Sequence, residues 1–140
     1  MPATVGAATY WDASAILSAL IPDAHSDEAR THAKKGGTHV VSSLAWVETL
    51  AVLARMQREG MLSSTSSESA HKTLSRAPWR PVTAAPRWEV VRGLAAAWKL
   101  KGADLWHLAA AKHLQEDLPE LRLLSFDARL RLAAQGEGLA

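Results

Sequence analysis

The 140-residue sequence contains no cysteine. That excludes a disulfide scaffold, a thiolate zinc site and thiol catalysis, and it fits a reducing compartment. Excess charge of one sign is missing too. Sixteen Lys and Arg against 14 Asp and Glu leave a net of +2, too little to argue by itself for nucleic acid or membrane. Long apolar runs are absent: the longest candidate, residues 44–54, is far too short to span a bilayer and is interrupted by Glu48. The first ten residues lack the basic and apolar segments of an export signal. With 48% hydrophobic and 21% charged residues, the chain is expected to be one soluble, cytoplasmic domain over residues 1–140.

The small net charge hides an uneven distribution. Between residues 72 and 101 lie Lys72, Arg76, Arg80, Arg87, Arg92, Lys99 and Lys101 against Glu89 alone, a net of +6, and each flanking segment sums to −2. A basic middle therefore sits between mildly acidic ends.

Short apolar runs alternate with helical patterns. Residues 8–11 read as a strand ending at Asp12, and residues 13–20 as a helix broken by Ile21-Pro22-Asp23. Ser26-Asp27-Glu28 opens a second helix with acids first and Lys34-Lys35 last, as the helix dipole favours, before Gly36-Gly37 stops it. Residues 38–42 form the next strand, followed by a helix over 43–59 closed by Gly60. A Ser/Thr-rich turn from Met61 leads into a short helix through Arg76. Pro78 and Pro81 confine any strand near residues 79–84 to a sheet edge. Pro86 suits the first turn of a helix reaching Leu100. Residues 103–116, 121–126 and 128–134 complete the alternation as helix, strand and helix. The pattern predicts a three-layer α/β/α sandwich around a mostly parallel sheet.

Asp12 and Asp127 each follow a predicted strand, where open α/β sheets bind ligands. Their surroundings look alike: Tyr10-Trp11-Asp12-Ala13-Ser14-Ala15 and Leu124-Ser125-Phe126-Asp127-Ala128-Arg129. Each could also simply cap the helix that follows. On the 43–59 helix, Leu44, Val47, Ala51 and Ala54 make an apolar stripe that includes Glu48. A charge there needs a partner, a metal or water; an ion pair and a solvent-accessible rim position are the alternatives. Asp104, in the first turn of the 103–116 helix, also fits as an ordinary N-terminal acid.

Taken together, Asp12-Ala-Ser14, Glu48 within Val41-Ser-Ser-Leu-Ala-Trp-Val-Glu-Thr-Leu, Asp104-Leu-Trp-His-Leu-Ala and Leu124-Ser-Phe-Asp127 resemble the four motifs of PIN domains. The order and spacing are family-like from Tyr10 to Leu132, and the resemblance is to VapC-type ribonuclease toxins of type II toxin–antitoxin systems. It implies a PIN-like fold and a Mg²⁺- or Mn²⁺-dependent endoribonuclease. Asp12, Glu48 and Asp104 would match the acidic triad, Asp127 the fourth acid, and Ser14 and Ser125 the supporting polar positions. It further implies tRNA or rRNA as substrate, a VapB-like antitoxin as inhibitory partner, and a homodimer. Trp106 departs from the pattern, which has a smaller residue there, and so bears on packing or the substrate groove.

The chemistry of these side chains agrees. Converging carboxylates repel one another, and hard divalent ions with oxygen ligands relieve that repulsion and serve phosphodiester hydrolysis. Zinc fits less well, because no pair of histidines has ligand spacing. A PIN-like module that binds RNA or protein without turnover, and a structure-specific DNase, are the competing readings. A haloacid-dehalogenase-type phosphatase would need a second acid where Ser14 stands, and a response-regulator receiver needs an acidic pair and a late lysine that are missing. The run Ser63-Ser64-Thr65-Ser66-Ser67 lacks the features of a phosphate loop. His107, one turn after Asp104, is expected to pack or hydrogen-bond. The stripe Trp88, Val91, Ala95 and Trp98 is expected in the core or at a dimer contact rather than stacking on bases. Arg80 and Arg87, from the basic middle, are the candidate RNA contacts.

Overall fold

A computed structural model of the chain describes residues 7–76 and 78–140. Residues 1–6, most of the stretch read for an export signal, lie outside the described residues. No described helix is long and apolar enough to cross a membrane.

Four described strands, β1 (Ala8–Trp11), β2 (Thr38–Ser42), β3 (Trp79–Val82) and β4 (Leu121–Leu124), form a wholly parallel sheet in the order β3-β2-β1-β4. The helices are α1 (Ala13–Leu20), α2 (Ser26–Ala33), α3 (Ser43–Arg58), α4 (Ser64–Leu74), α5 (Trp88–Ala97), α6 (Gly102–Asp117) and α7 (Ala128–Gly136). Because all strands run one way, the loops that follow them share one end of the sheet. Proline at position 81 is tolerated because β3 is an edge strand.

Strand side chains alternate between two cores. Ala8, Tyr10, Val40, Leu121 and Leu123 face α5, α6 and α7, where Leu94, Leu108 and Leu130 close over them. Trp11, Val41 and Leu124 point the other way, against Ile16 of α1, Ala29 of α2, Ala45 of α3 and Leu74 of α4. The outcome is the expected three-layer sandwich, with α1–α4 on one face and α5–α7 on the other. Ala109, Ala110 and Ala111 are fully buried, so small side chains let α6 lie close to the sheet. On the opposite face, Trp11 donates through Nε1 to Nδ1 of His39 at 3.0 Å and meets Trp79 edge-on, with centroids 5.4 Å apart.

Several expectations need correction. Helix α3 does not bury the stripe Leu44, Val47, Ala51 and Ala54. Its buried face is Ala45, Thr49 and Leu53, while Val47 is 61% exposed. The physical reason is that Ser42 caps the helix through Ala45 N at 3.1 Å, which directs Ala45 at the sheet; Thr49 is accommodated there by donating to the Ala45 carbonyl at 2.7 Å. Helix α5 starts at Trp88, two residues after Pro86, and leaves Trp88 outside the core; Trp98 is half-buried against Gly136 and donates to Glu137 at 2.8 Å. Strand β4 ends at Leu124 because Ser125 turns its hydroxyl to Asp12.

Gly37 enters β2 with φ +99°, and a Cβ there would meet the Ala7 carbonyl oxygen at 2.5 Å. Gly37→Ala is therefore expected to lower stability by more than about 1 kcal/mol in urea unfolding. Gly93, within α5 and with no neighbour near its missing Cβ, should behave oppositely. Gly93→Ala is expected to gain about 0.5–1 kcal/mol from helix propensity.

Candidate active site

Asp12 leaves β1 and caps α1, as the capping reading expects. Its Oδ1 accepts from Ala15 N at 2.9 Å and from the Ser14 hydroxyl at 2.7 Å, and its Oδ2 accepts from the Ser125 hydroxyl at 2.6 Å. Burial pushes this carboxyl above the ordinary range, while those three donors and the nearby His107 pull the other way. Serine at 14 and 125 also laces two strand ends together: Ser14 Oγ accepts from Phe126 N at 3.0 Å, and Ser125 Oγ accepts from Asp127 N at 3.1 Å. Asp127 caps α7, its Oδ1 accepting from Arg129 N and Leu130 N at 3.1 and 3.0 Å.

Glu48 is a rim residue with 32% of its side chain exposed, and Nε2 of His107 lies 2.5 Å from its Oε1. His107 itself is 1% exposed. Its Nδ1 sits 2.6 Å from the Tyr10 hydroxyl, which lies 2.9 Å from Ser42 Oγ. The phenol has one proton for two contacts. The chain is satisfied either with Ser42 donating to the phenol or with a proton on Nδ1 of His107. Burial raises the Tyr10 pKa, which keeps the phenol protonated at neutral pH. Glu48 on α3 and His107 on α6 belong to opposite layers, so this contact ties the layers together at the carboxyl end of the sheet.

Asp104 makes no hydrogen bond through its carboxylate among the described residues. Its pKa is raised first by burial, then by the charges of Asp127 and Asp12 and, more weakly, Glu48; His107 opposes them. The four acids expected from the sequence therefore share one electrostatic environment. Among the described residues, no three His, Asp or Glu side chains stand close enough to grip an ion by themselves. What the site offers is an all-oxygen donor set with open lone pairs on Asp104, on Oε2 of Glu48 and on Oδ2 of Asp127. That set fits a hard divalent ion that keeps several waters better than one needing a closed protein cage.

Arg80 and Arg87 are not drawn into this cluster. Arg80 is exposed on β3, and Arg87 donates to Glu116 near the end of α6 at 2.8 Å. The sequence reading missed Tyr10 and Ser42 as parts of the site. The available signals were a polar-tipped aromatic alternating into a strand two residues before Asp12, and a serine that also caps the helix carrying Glu48.

Tyr10→Phe removes one hydroxyl and strands the polar atoms at its two contacts. The expected cost is about 1–3 kcal/mol, read as a lowered urea midpoint at unchanged slope. A variant as stable as the wild type would show that the buried chain contributes nothing.

The PIN domain sequence profile matches residues 9–135. The chain is 31% identical over 134 residues to "Ribonuclease VapC46" of Mycobacterium tuberculosis, covering 96% of this chain and 95% of that protein. Among solved structures, it superposes on PAE2754 of Pyrobaculum aerophilum with a TM-score of 0.64 at 22% identity, covering 94% and 82% of the two chains. It superposes on VapC20 of Mycobacterium tuberculosis, a toxin described as cleaving the sarcin–ricin loop, with a TM-score of 0.60 at 14% identity, covering 89% and 94%. At these identities the two structures speak to the fold. Sequence profile, near-full-length relative and shared architecture agree: the chain belongs to the PIN domain family.

Proposed function

We infer that this chain is a divalent-metal-dependent endoribonuclease of the VapC toxin type, acting in the cytoplasm. The observation that carries the reading is the placement of the acids at the carboxyl end of a parallel sheet: Asp12 and Asp127 follow the neighbouring strands β1 and β4, and Glu48 meets His107, one turn after Asp104. The near-full-length likeness to a VapC ribonuclease supports the choice of RNA, with tRNA or rRNA as the substrate class. The toxin reading carries with it a VapB-like antitoxin as inhibitor and a homodimer as the assembly.

Asp12, Glu48, Asp104 and Asp127 would hold Mg²⁺ or Mn²⁺ together with water and substrate phosphate oxygens. Such an ion supplies charge neutralisation and a more acidic water for phosphodiester hydrolysis. The protein's own contribution is orientation. Ser14, Ser125 and the Ala15 amide fix both oxygens of Asp12, and His107 fixes one oxygen of Glu48, leaving the other toward the open side. Asp104, whose carboxylate makes no hydrogen bond among the described residues, would remain free to turn toward such an ion.

Digestion of tRNA and rRNA with Mg²⁺ or Mn²⁺ tests the reading, with EDTA, Asp12→Asn and Asp104→Asn as controls. Each control is expected to reduce cleavage at least about 100-fold, in line with loss of a metal-held transition state. Undiminished cleavage by both variants would overturn the mechanism, and cleavage of DNA but not RNA would overturn the substrate.

The raised carboxyls also set a stability signature. A carboxyl whose folded pKa lies above its unfolded value stabilises below the unfolded value and loses that contribution as pH rises through the folded one. In chelator, Asp104→Asn should therefore melt above the wild type at neutral pH and together with it at acid pH. The gain is expected to stay within about 2 °C, because Asp104 is only half-buried and partly screened.

Arg80 and Arg87 should separate in RNA binding. Arg80→Ala is expected to lower the salt slope of affinity by about one, as loss of one phosphate contact does. Arg87→Ala should do less, since Glu116 already neutralises that guanidinium.

A further inference from the structure

Trp88, the first residue of α5, is 91% exposed. An indole left almost wholly in water forgoes a few kcal/mol of burial. It forms one wall of an open cleft of about 270 Å³ completed by Ala85, Pro86, Val91 and Trp106. Apart from the indole N–H groups, no polar side chain is among these lining residues.

The cleft shares helix α6 with Asp104. Trp106 lies two residues beyond Asp104 near the start of α6, within about one helix diameter of it, ~10–12 Å. Its ring meets His107 edge-on, with centroids 5.7 Å apart, and His107 holds Glu48.

Charge selects the occupant. Within the +6 segment, Arg80, Arg92, Lys99 and Lys101 are exposed and make no ion pair among the described residues. Two copies of this chain meeting on that surface would bring like charges together, whereas a polyanion is attracted to it. Exposed indoles beside cations are also the usual platform for unpaired bases.

We propose that the Trp88–Trp106 cleft is a base-stacking subsite, taking one unpaired nucleobase of the RNA strand whose phosphate lies at the four acids. The proposal rests on the ribonuclease reading above. Because the walls present ring faces and aliphatic groups, the subsite holds any base by its π-face and does not select among them. Discrimination between sequences then falls to other contacts.

The test is binding of a single-stranded RNA in EDTA, where the strand stays intact, to the wild type, Trp88→Ala and Trp88→Phe. Trp88→Ala is expected to raise Kd about tenfold, and Trp88→Phe no more than about twofold, within the range of one base–aromatic stack. Strands with a single abasic position, scanned along the sequence, should weaken wild-type binding at one position by the same factor and leave Trp88→Ala binding there unchanged. Equal Kd values for Trp88→Ala and wild type would overturn the subsite. So would a drop in oligomer mass on Trp88→Ala with RNA binding untouched, which assigns the cleft to a second copy. Unchanged RNA binding combined with loss of antitoxin binding would likewise overturn it in favour of a protein partner. If the wild type cleaves RNA but Trp88→Ala binds it normally, the subsite fails and the nuclease reading stands. If Trp88 governs binding but the wild type cleaves nothing, the subsite stands and the nuclease reading fails.

Discussion

Crowded negative charge is the constraint around which this protein is arranged. Asp12, Glu48, Asp104 and Asp127 share one end of the sheet; burial raises the carboxyls of Asp12 and Asp104, and at Asp104 the charges of the other three acids add to it. Two strategies keep them there. Asp12 accepts from two serine hydroxyls and a helix amide, which compensate for its desolvation and leave acceptor capacity on Oδ2. Asp104 instead carries the repulsion without a partner. One acid is thus fixed by the fold, and the other is left without a hydrogen-bond partner among the described residues.

The rest of the architecture follows from serving these side chains. Central strand β1 and its edge neighbour β4 bring Asp12 and Asp127 to the same end of the sheet, and the residues that follow the two strands exchange hydrogen bonds through Ser14 and Ser125. Glu48 comes from one helical layer and His107 from the other, so their contact closes the sandwich above the sheet. Tyr10 and Ser42 hold His107 from below, which makes the central strands part of the support for Glu48. The packed core and the acidic cluster are therefore built from neighbouring atoms of the same strands.

Much of this was legible in the sequence because local signals agreed. Residues 8–11 and 38–42 are short apolar runs, each ending at a residue that caps a helix, and both strands and the starts of both following helices lie where those caps put them. The four acids were legible through motif order, and Asp12 and Asp127 through their position after strands. The face of α3 was not. Leu44, Val47 and Ala51 are as apolar as Ala45, Thr49 and Leu53, and only the contact with the sheet decides between two such stripes. The core half of the reading of Trp88 failed for a related reason: an apolar residue at helical spacing reads as core unless tertiary packing says otherwise. Tyr10 was missed because its role depends on His107, 97 positions away, and Ser42 because its partner Tyr10 lies 32 positions back, separations no local pattern encodes.

Asp12 and Asp127 each hold the first turn of a helix as well as a place among the acids. Under the proposed function, chemistry and folding therefore draw on the same two carboxylates, and the two cannot be removed independently by every substitution. Asparagine retains an acceptor for the helix amides while discarding the charge; alanine discards both. Drift away from activity thus has an asymmetric route in this chain: a silent descendant that remains folded is expected to carry amides at these positions before it carries apolar residues. Reading Asn rather than Ala at a position equivalent to 12 or 127 would mark a relative that kept its architecture after giving up its chemistry.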